Sequence, residues 1–111
     1  MSKRILSVSY DESLLVTRSL LLEREGHQVT SELGFTQSAA RCAEGNFDLF
    51  ILGHSIPEDD KQELMRIFRA NCTAPVLALR REGEDAPDGA DYRAFPNDPA
   101  ELLKTVAQIL K

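Results

Sequence analysis

The residues of this chain best suited to chemistry are a few polar side chains at the ends of apolar segments. His54 and Ser55 follow directly on Gly53 and the apolar run Leu49 to Leu52. An imidazole titrating near neutral pH can serve as a base, a metal ligand or a phosphate acceptor. None of these roles is completed by the sequence, because no Ser, Cys, Asp and His constellation is fixed around His54, and Ser55 alone does not make a nucleophile. A histidine on a surface loop is the reading its neighbours favour, and His27, at the turn into a polar segment, is plainer still. Asp11 together with Asp59 or Asp60 could offer carboxylate oxygens to a divalent cation. Each has simpler work at the start of a helix, where a carboxylate caps free amides and offsets the helix dipole. Cys42 and Cys72 belong to no CxxC pair and to no spaced ligand set, so two reduced thiols are expected.

The elements that position these residues must come from a chain of 111 residues, enough for one core and a single domain spanning 1–111. Hydrophobic residues make up 42% and charged residues 28%, a globular balance rather than that of a disordered or membrane chain. The net charge of -5 speaks against nonspecific nucleic-acid contact, which needs clustered Lys and Arg. Arg80 and Arg81 are adjacent, but Glu82, Glu84 and Asp85 follow at once. Met1 to Arg4 leads straight into a strand-like segment, so neither a signal peptide nor a membrane span is expected, and the cytoplasm is the expected compartment.

Strand-like and helix-like segments alternate. Ile5 to Val8 is a short β-rich run, and Asp11 to Glu25 has the Leu-rich, charged composition of a helix ended by Gly26. Leu14, Leu21 and Leu22 are placed on its core face, with Val16 and Leu20 broadening the apolar surface. His27 to Thr30 reads as a short polar strand, and Thr36 as the cap of a second helix running through Ala39, Ala40 and Ala43 to Gly45. Leu49 to Leu52 and Val76 to Leu79 are continuously apolar, as strands covered on both faces should be. Between them Pro57 stops the strand, Glu58, Asp59 and Asp60 open a helix carrying Leu64, Ile67 and Phe68, and Asn71 ends it. A short edge strand passes through Tyr92 and Ala94, and Asp98-Pro99 starts a last helix with Leu102, Leu103, Val106, Ile109 and Leu110 at helical spacing. This alternation predicts a parallel sheet between two helical layers, with the three apolar runs central and the two polar ones at the edges. Any functional crevice should lie beyond the carboxyl ends of the central strands.

Along nearly its whole length the chain resembles the receiver domain of bacterial two-component response regulators. Ile5-Leu6-Ser7-Val8 is similar to the first strand, and Leu22-Glu23-Arg24-Glu25-Gly26-His27-Gln28-Val29 to the passage into the second. Gly45-Asn46-Phe47-Asp48-Leu49-Phe50-Ile51-Leu52 with Ile56-Pro57 is the most specific stretch, and Pro75 to Leu79, Gly89 to Tyr92 and Phe95-Pro96 complete the series. The resemblance implies a three-layer α/β/α, flavodoxin-like (CheY-like), doubly wound five-stranded parallel sheet of order 2-1-3-4-5. The fourth helix usual in that fold would fall on Arg81 to Asp88, where Gly83 and Pro87 predict that it is shortened or missing.

The chemistry that the resemblance implies is another matter. Receivers close the first strand with an acidic pair that holds Mg²⁺, and the matching positions here are Ser9 and Tyr10. The phosphate-accepting aspartate corresponds to Gly53, the Ser or Thr after the fourth strand to Arg80, the Lys before the last Pro to Phe95, and a Gly near the third helix to Lys61. Asp11, His54, Asp59, Asp60 and Lys61 are the candidate crevice-lining residues. The expectation is a non-enzymatic signalling or protein-interaction module, not phosphorylated at the usual place, with no cofactor and with Mg²⁺ binding lost. Its partner is expected to be another protein or a second copy, not nucleic acid or membrane. The alternative is a small-molecule or anion sensor built on the same crevice, with Arg80 as a fixed charge at its rim.

Overall fold

The computed structural model describes residues 3–80, 89–95 and 98–111. β1 (Arg4–Ser9) and β3 (Leu49–Leu52) run side by side, flanked by β2 (Gln28–Leu33) on one side and by β4 (Val76–Leu79) and β5 (Tyr92–Ala94) on the other. All pairings are parallel and the order is β2-β1-β3-β4-β5, with the three apolar runs central as their composition predicts. Four helices occur among the described residues: α1 (Glu12–Arg24), α2 (Phe35–Glu44), α3 (Glu58–Asn71) and α4 (Pro99–Ile109). The shortened fourth helix predicted for Arg81 to Asp88 falls outside the described residues.

Each face of the sheet is covered by two helices. Leu6, Val8, Phe50, Leu52 and Val76 meet Cys42 of α2 and Leu64, Met65 and Phe68 of α3, with the Phe50 and Phe68 rings 4.7 Å apart. Ile5, Leu49, Ile51, Leu77, Leu79 and Ala94 meet Leu22 of α1 and Leu102 and Val106 of α4. Each fully buried Leu, Ile or Phe contributes roughly 1.5–3 kcal/mol, so these two layers hold the strand ends in place.

The helix ends follow their sequence signals in most cases. The Asp11 carboxylate accepts the Leu14 amide at 3.2 Å and the Asp98 carboxylate accepts the Glu101 amide at 3.0 Å, each capping a helix. Gly45 closes α2 with φ at +65°, and a Cβ there would lie 2.2 Å from the Asn71 carbonyl oxygen, so the α2–β3 turn and the end of α3 approach as only glycine permits.

Three local expectations are corrected. α2 begins at Phe35, with Gly34 in the cap position, so Thr36 lies inside the helix rather than capping it. β2 begins at Gln28 and extends to Leu33, beyond Thr30, because its register against β1 continues to the pair Ser9–Leu33. The buried stripe of α1 is Leu15, Arg18, Ser19 and Leu22, while Leu14 and Leu21 are only half-buried and Val16 and Leu20 are 51% and 56% exposed. Apolar residues lie all round this helix, and the sheet face beneath its middle is polar, presenting Ser7 and Ser31. Ser19 bonds the Leu15 carbonyl and Ser31. Arg18, 4% exposed, donates from Nη1 to Ser7 Oγ at 3.2 Å and to the Val8 carbonyl at 3.4 Å. No carboxylate among the described residues forms an ion pair with it, and burial lowers its pKa to about 10.

Candidate functional site

The carboxyl ends of β1 and β3 meet through a chain of hydroxyl groups. Tyr10 N–H donates to Ser55 Oγ at 3.0 Å, and Ser55 Oγ lies 3.2 Å from Ser9 Oγ. Ser9 Oγ donates to the Asp11 carbonyl at 3.1 Å and accepts the Asp11 amide at 3.0 Å. With Ser55 donating to Ser9, one directed sequence satisfies every group: Tyr10 amide to Ser55, Ser55 to Ser9, Ser9 to the Asp11 carbonyl. It ties the end of β1 to the loop after β3 across 46 positions of sequence.

Gly53 is buried beside this chain. Its amide donates to the Val8 carbonyl at 2.9 Å, continuing the ladder one step past β3. A Cβ at position 53 would stand 3.0 Å from that carbonyl oxygen and 3.3 Å from both Cβ and Oγ of Ser9. Position 53 therefore presents backbone to a packed wall of backbone and hydroxyl.

Tyr10 turns its phenol to α3, where its hydroxyl donates to Asp60 Oδ2 at 2.8 Å. Burial, then the bond to Asp60 and its charge, hold the phenol proton well above the usual tyrosine range. Asp59 is exposed on the same first turn of α3, and Lys61 is buried on the stripe that continues through Leu64, Met65 and Phe68. At the end of β4, the Arg80 amide donates to the Ala94 carbonyl at 2.9 Å and its guanidinium carbon lies 5.6 Å from the centre of the Phe95 ring.

The positions singled out in the sequence fall into two groups. Ser9, Tyr10, Asp11, Gly53 and Asp60 are linked by contacts between β1, β3 and α3, and half-buried His54 is next to them in the chain. Arg80 and Phe95 form a second pair at the ends of β4 and β5. Ser55 is the residue that sequence reasoning undervalued: considered only as a nucleophile, it is the junction of the hydroxyl chain. Nothing in its spacing announces this, since its partners lie 45 and 46 residues away. The Tyr10–Asp60 bond spans 50 residues and was equally silent.

The donors present do not suit Mg²⁺. That ion asks for a near-octahedral set of oxygens with one or two carboxylates, whereas Ser9 and Ser55 are neutral and committed to each other, and Asp60 already accepts the phenol. Among the described residues no group of three His, Cys, Asp or Glu side chains is placed to hold a metal.

Comparison with known proteins agrees with this architecture. The chain is 26% identical over 115 residues to the transcriptional regulatory protein ResD of Bacillus subtilis, covering 97% of this chain and 48% of that protein. It is 27% identical over 115 residues to the response regulator ArlR of Staphylococcus saprophyticus, covering 97% of this chain and 52% of ArlR. The chain thus spans about half the length of the curated relatives it matches. No protein-family model matches it. Among solved structures, the N-terminal domain of a response regulator/sensory box/GGDEF 3-domain protein from Carboxydothermus hydrogenoformans superposes with a TM-score of 0.83 at 19% identity, over 97% of this chain and 94% of that one. The N-terminal domain of the nisin resistance regulator NsrR gives 0.83 at 17% identity with both chains fully covered. Chemotaxis response regulator CheY4 of Vibrio cholerae gives 0.79 at 22% identity, over 99% of this chain and all of that one. The chain has the CheY-like receiver-domain fold. Among the described residues no helix is long and apolar enough to cross a membrane.

Proposed function

We propose that this chain is a non-enzymatic signalling or protein-interaction module of two-component ancestry, one that keeps the receiver scaffold and does not signal by phosphorylation at the end of β3. The observation carrying this reading is Gly53, a backbone position packed against the Val8 carbonyl and Ser9 where the receiver resemblance implies an aspartate. Phosphoryl transfer to form an acyl phosphate needs a carboxylate nucleophile in line with the donor, and Gly53 supplies no side-chain atom. The hydroxyl chain through Ser9 and Ser55 supports the same conclusion, because it satisfies within the protein the groups at the ends of β1 and β3. The Tyr10–Asp60 bond likewise engages a carboxylate that a metal would need. Both favour the interaction module over an anion sensor at this crevice. The partner is another protein or a second copy of the chain, and the net charge of -5 weighs against nucleic acid. Incubation with acetyl phosphate and Mg²⁺ followed by intact-mass measurement tests the reading. The expected result is no stoichiometric phosphate adduct, and a saturating adduct overturns it.

A further inference from the structure

Helix α1 carries an outward row of side chains that the core does not use. Glu12, Val16, Leu20 and Arg24 follow one another at intervals of four, which sets them on a single ridge of the helix. All four are exposed. Val16 and Leu20 are the large apolar side chains that helices expose among the described residues, and the other two exposed ones, Leu33 and Tyr92, stand on strands. A lone exposed apolar side chain needs no explanation, but two in succession on one ridge make a stripe. The cause lies in the fold: the polar patch of Ser7 and Ser31 holds Arg18 and Ser19 against the sheet and turns Val16 and Leu20 outward. Leu33 is on the same side of the sheet, since Ser31 meets Ser19 of α1 and Leu33 is two residues further along β2.

The charges at the ends of the stripe select what covers it. Glu12 is in the first turn of α1 and Arg24 in the last, about 18 Å apart along the axis at 1.5 Å per residue. Neither joins an ion pair among the described residues. Reversing the row exchanges its signs and keeps its pattern: acid, apolar, apolar, base becomes base, apolar, apolar, acid. A two-fold axis lays a surface against its own reversed copy, so this pattern is the one an isologous interface requires. A partner carrying a single sign of charge would face a like charge at one end. The row beside the ridge is short, Ser13 and Thr17, and leaves a groove along it.

We propose that α1 is a self-association surface, on which two copies of this chain pack antiparallel about a two-fold axis through the row Glu12, Val16, Leu20 and Arg24. Each ridge lies in the groove along Ser13 and Thr17 of the other copy, with the axes crossing at about 50° as i±4 ridges do. Val16 of one copy meets Leu20 of the other, and Glu12 meets Arg24, each twice by symmetry. The proposal rests on the reading of the chain as a protein-interaction module and names the second copy as its partner. An interface built on one pair of helices is small, below ~1,200 Å², and transient, so half-association is expected between about 10 μM and 1 mM.

Sedimentation equilibrium of the full chain from about 10 μM to 1 mM tests this. The parent is expected to dimerise, and Leu20→Glu, which sets a charge in the stripe, is expected to weaken association at least about tenfold. Glu12→Arg and Arg24→Glu, each alone, bring like charges together at both ends and are expected to weaken it by about the same tenfold. Mixed in equal amounts, these two variants regain opposite charges at both ends, and their heterodimer is expected within about threefold of the parent affinity. The three positions are exposed, and native amide dispersion checks that each variant is folded. The proposal is overturned by a parent still monomeric at 1 mM, whatever else binds α1, by unchanged association of folded Leu20→Glu, or by a mixture that associates no better than its components. A monomer that takes no phosphate from acetyl phosphate overturns the dimer alone and leaves another protein as the partner. A dimer that takes a saturating adduct overturns the Gly53 reading alone.

Discussion

Putting an aspartate back at the end of β3 is the most direct probe of the site. A receiver that had lost only its phosphate acceptor should tolerate Gly53→Asp; the geometry says that this one does not. The new Cβ would lie 3.0 Å from the Val8 carbonyl oxygen and 3.3 Å from Ser9 Cβ and Oγ. Neither neighbour yields easily, since the Val8 oxygen accepts the amide of residue 53 itself at 2.9 Å and Ser9 is held by Asp11 and Ser55. Overpacking of this kind costs about 1–3 kcal/mol. The backbone of Gly53 is outside the left-handed region, so Gly53→Ala recovers ~0.4–1 kcal/mol from the unfolded chain and should end about 0.5–2 kcal/mol less stable than the parent. The carboxylate of Gly53→Asp adds a buried polar group beside a carbonyl oxygen, another ~1–3 kcal/mol, for a total loss of roughly 1.5–5 kcal/mol. Urea denaturation at unchanged m-value measures this as a lower midpoint. With no carboxylate at Ser9 or Tyr10, acetyl phosphate and Mg²⁺ should still leave the variant unmodified by intact mass. Stability within about 0.5 kcal/mol of the parent, the usual scatter of neutral surface changes, or stoichiometric phosphorylation of Gly53→Asp would refute the reasoning.

Three further outcomes are expected. Arg18 is a buried cation whose desolvation corresponds to about 3 kcal/mol, and the Val8 carbonyl keeps the Gly53 amide without it, so Arg18→Met combined with Ser7→Ala should be neutral to about 2 kcal/mol stabilising in chemical denaturation, while a loss above about 2 kcal/mol refutes the uncompensated charge. The folded state holds the Tyr10 proton after the unfolded chain has released it, so the stability due to Tyr10 is fully present below pH 10 and declines as pH rises above it. Tyr10→Phe should flatten that alkaline decline in urea titrations taken at several pH values, and an identical pH slope counts against the phenol. Burial pushes the Cys42 thiol up to about 12, whereas Cys72 is only half-buried. A thiol reagent at neutral pH should therefore label Cys72 alone in the folded protein and both in denaturant, by mass; equal labelling rates without denaturant would show the packing around Cys42 to be wrong.

The sequence by itself determined the order of strands and helices, which strands are central, and which side-chain types stand at the strand ends. Leu49 to Leu52 and Val76 to Leu79 are apolar on every residue, and only a strand covered on both faces has a use for that pattern. Asp11 and Asp98 announced helix starts because capping is a local interaction, three residues in reach. Tertiary structure alone decided what local pattern leaves open. With apolar residues on all sides of α1, periodicity cannot choose a face; the polar patch of Ser7 and Ser31 on the sheet draws Arg18 and Ser19 inward and leaves Val16 and Leu20 in solvent. The hydroxyl chain from Tyr10 through Ser55 and Ser9 to Asp11 joins residues far apart in the chain. A short polar side chain is compatible with surface, cap or core, and which of these it occupies depends on what the folded sheet sets opposite it.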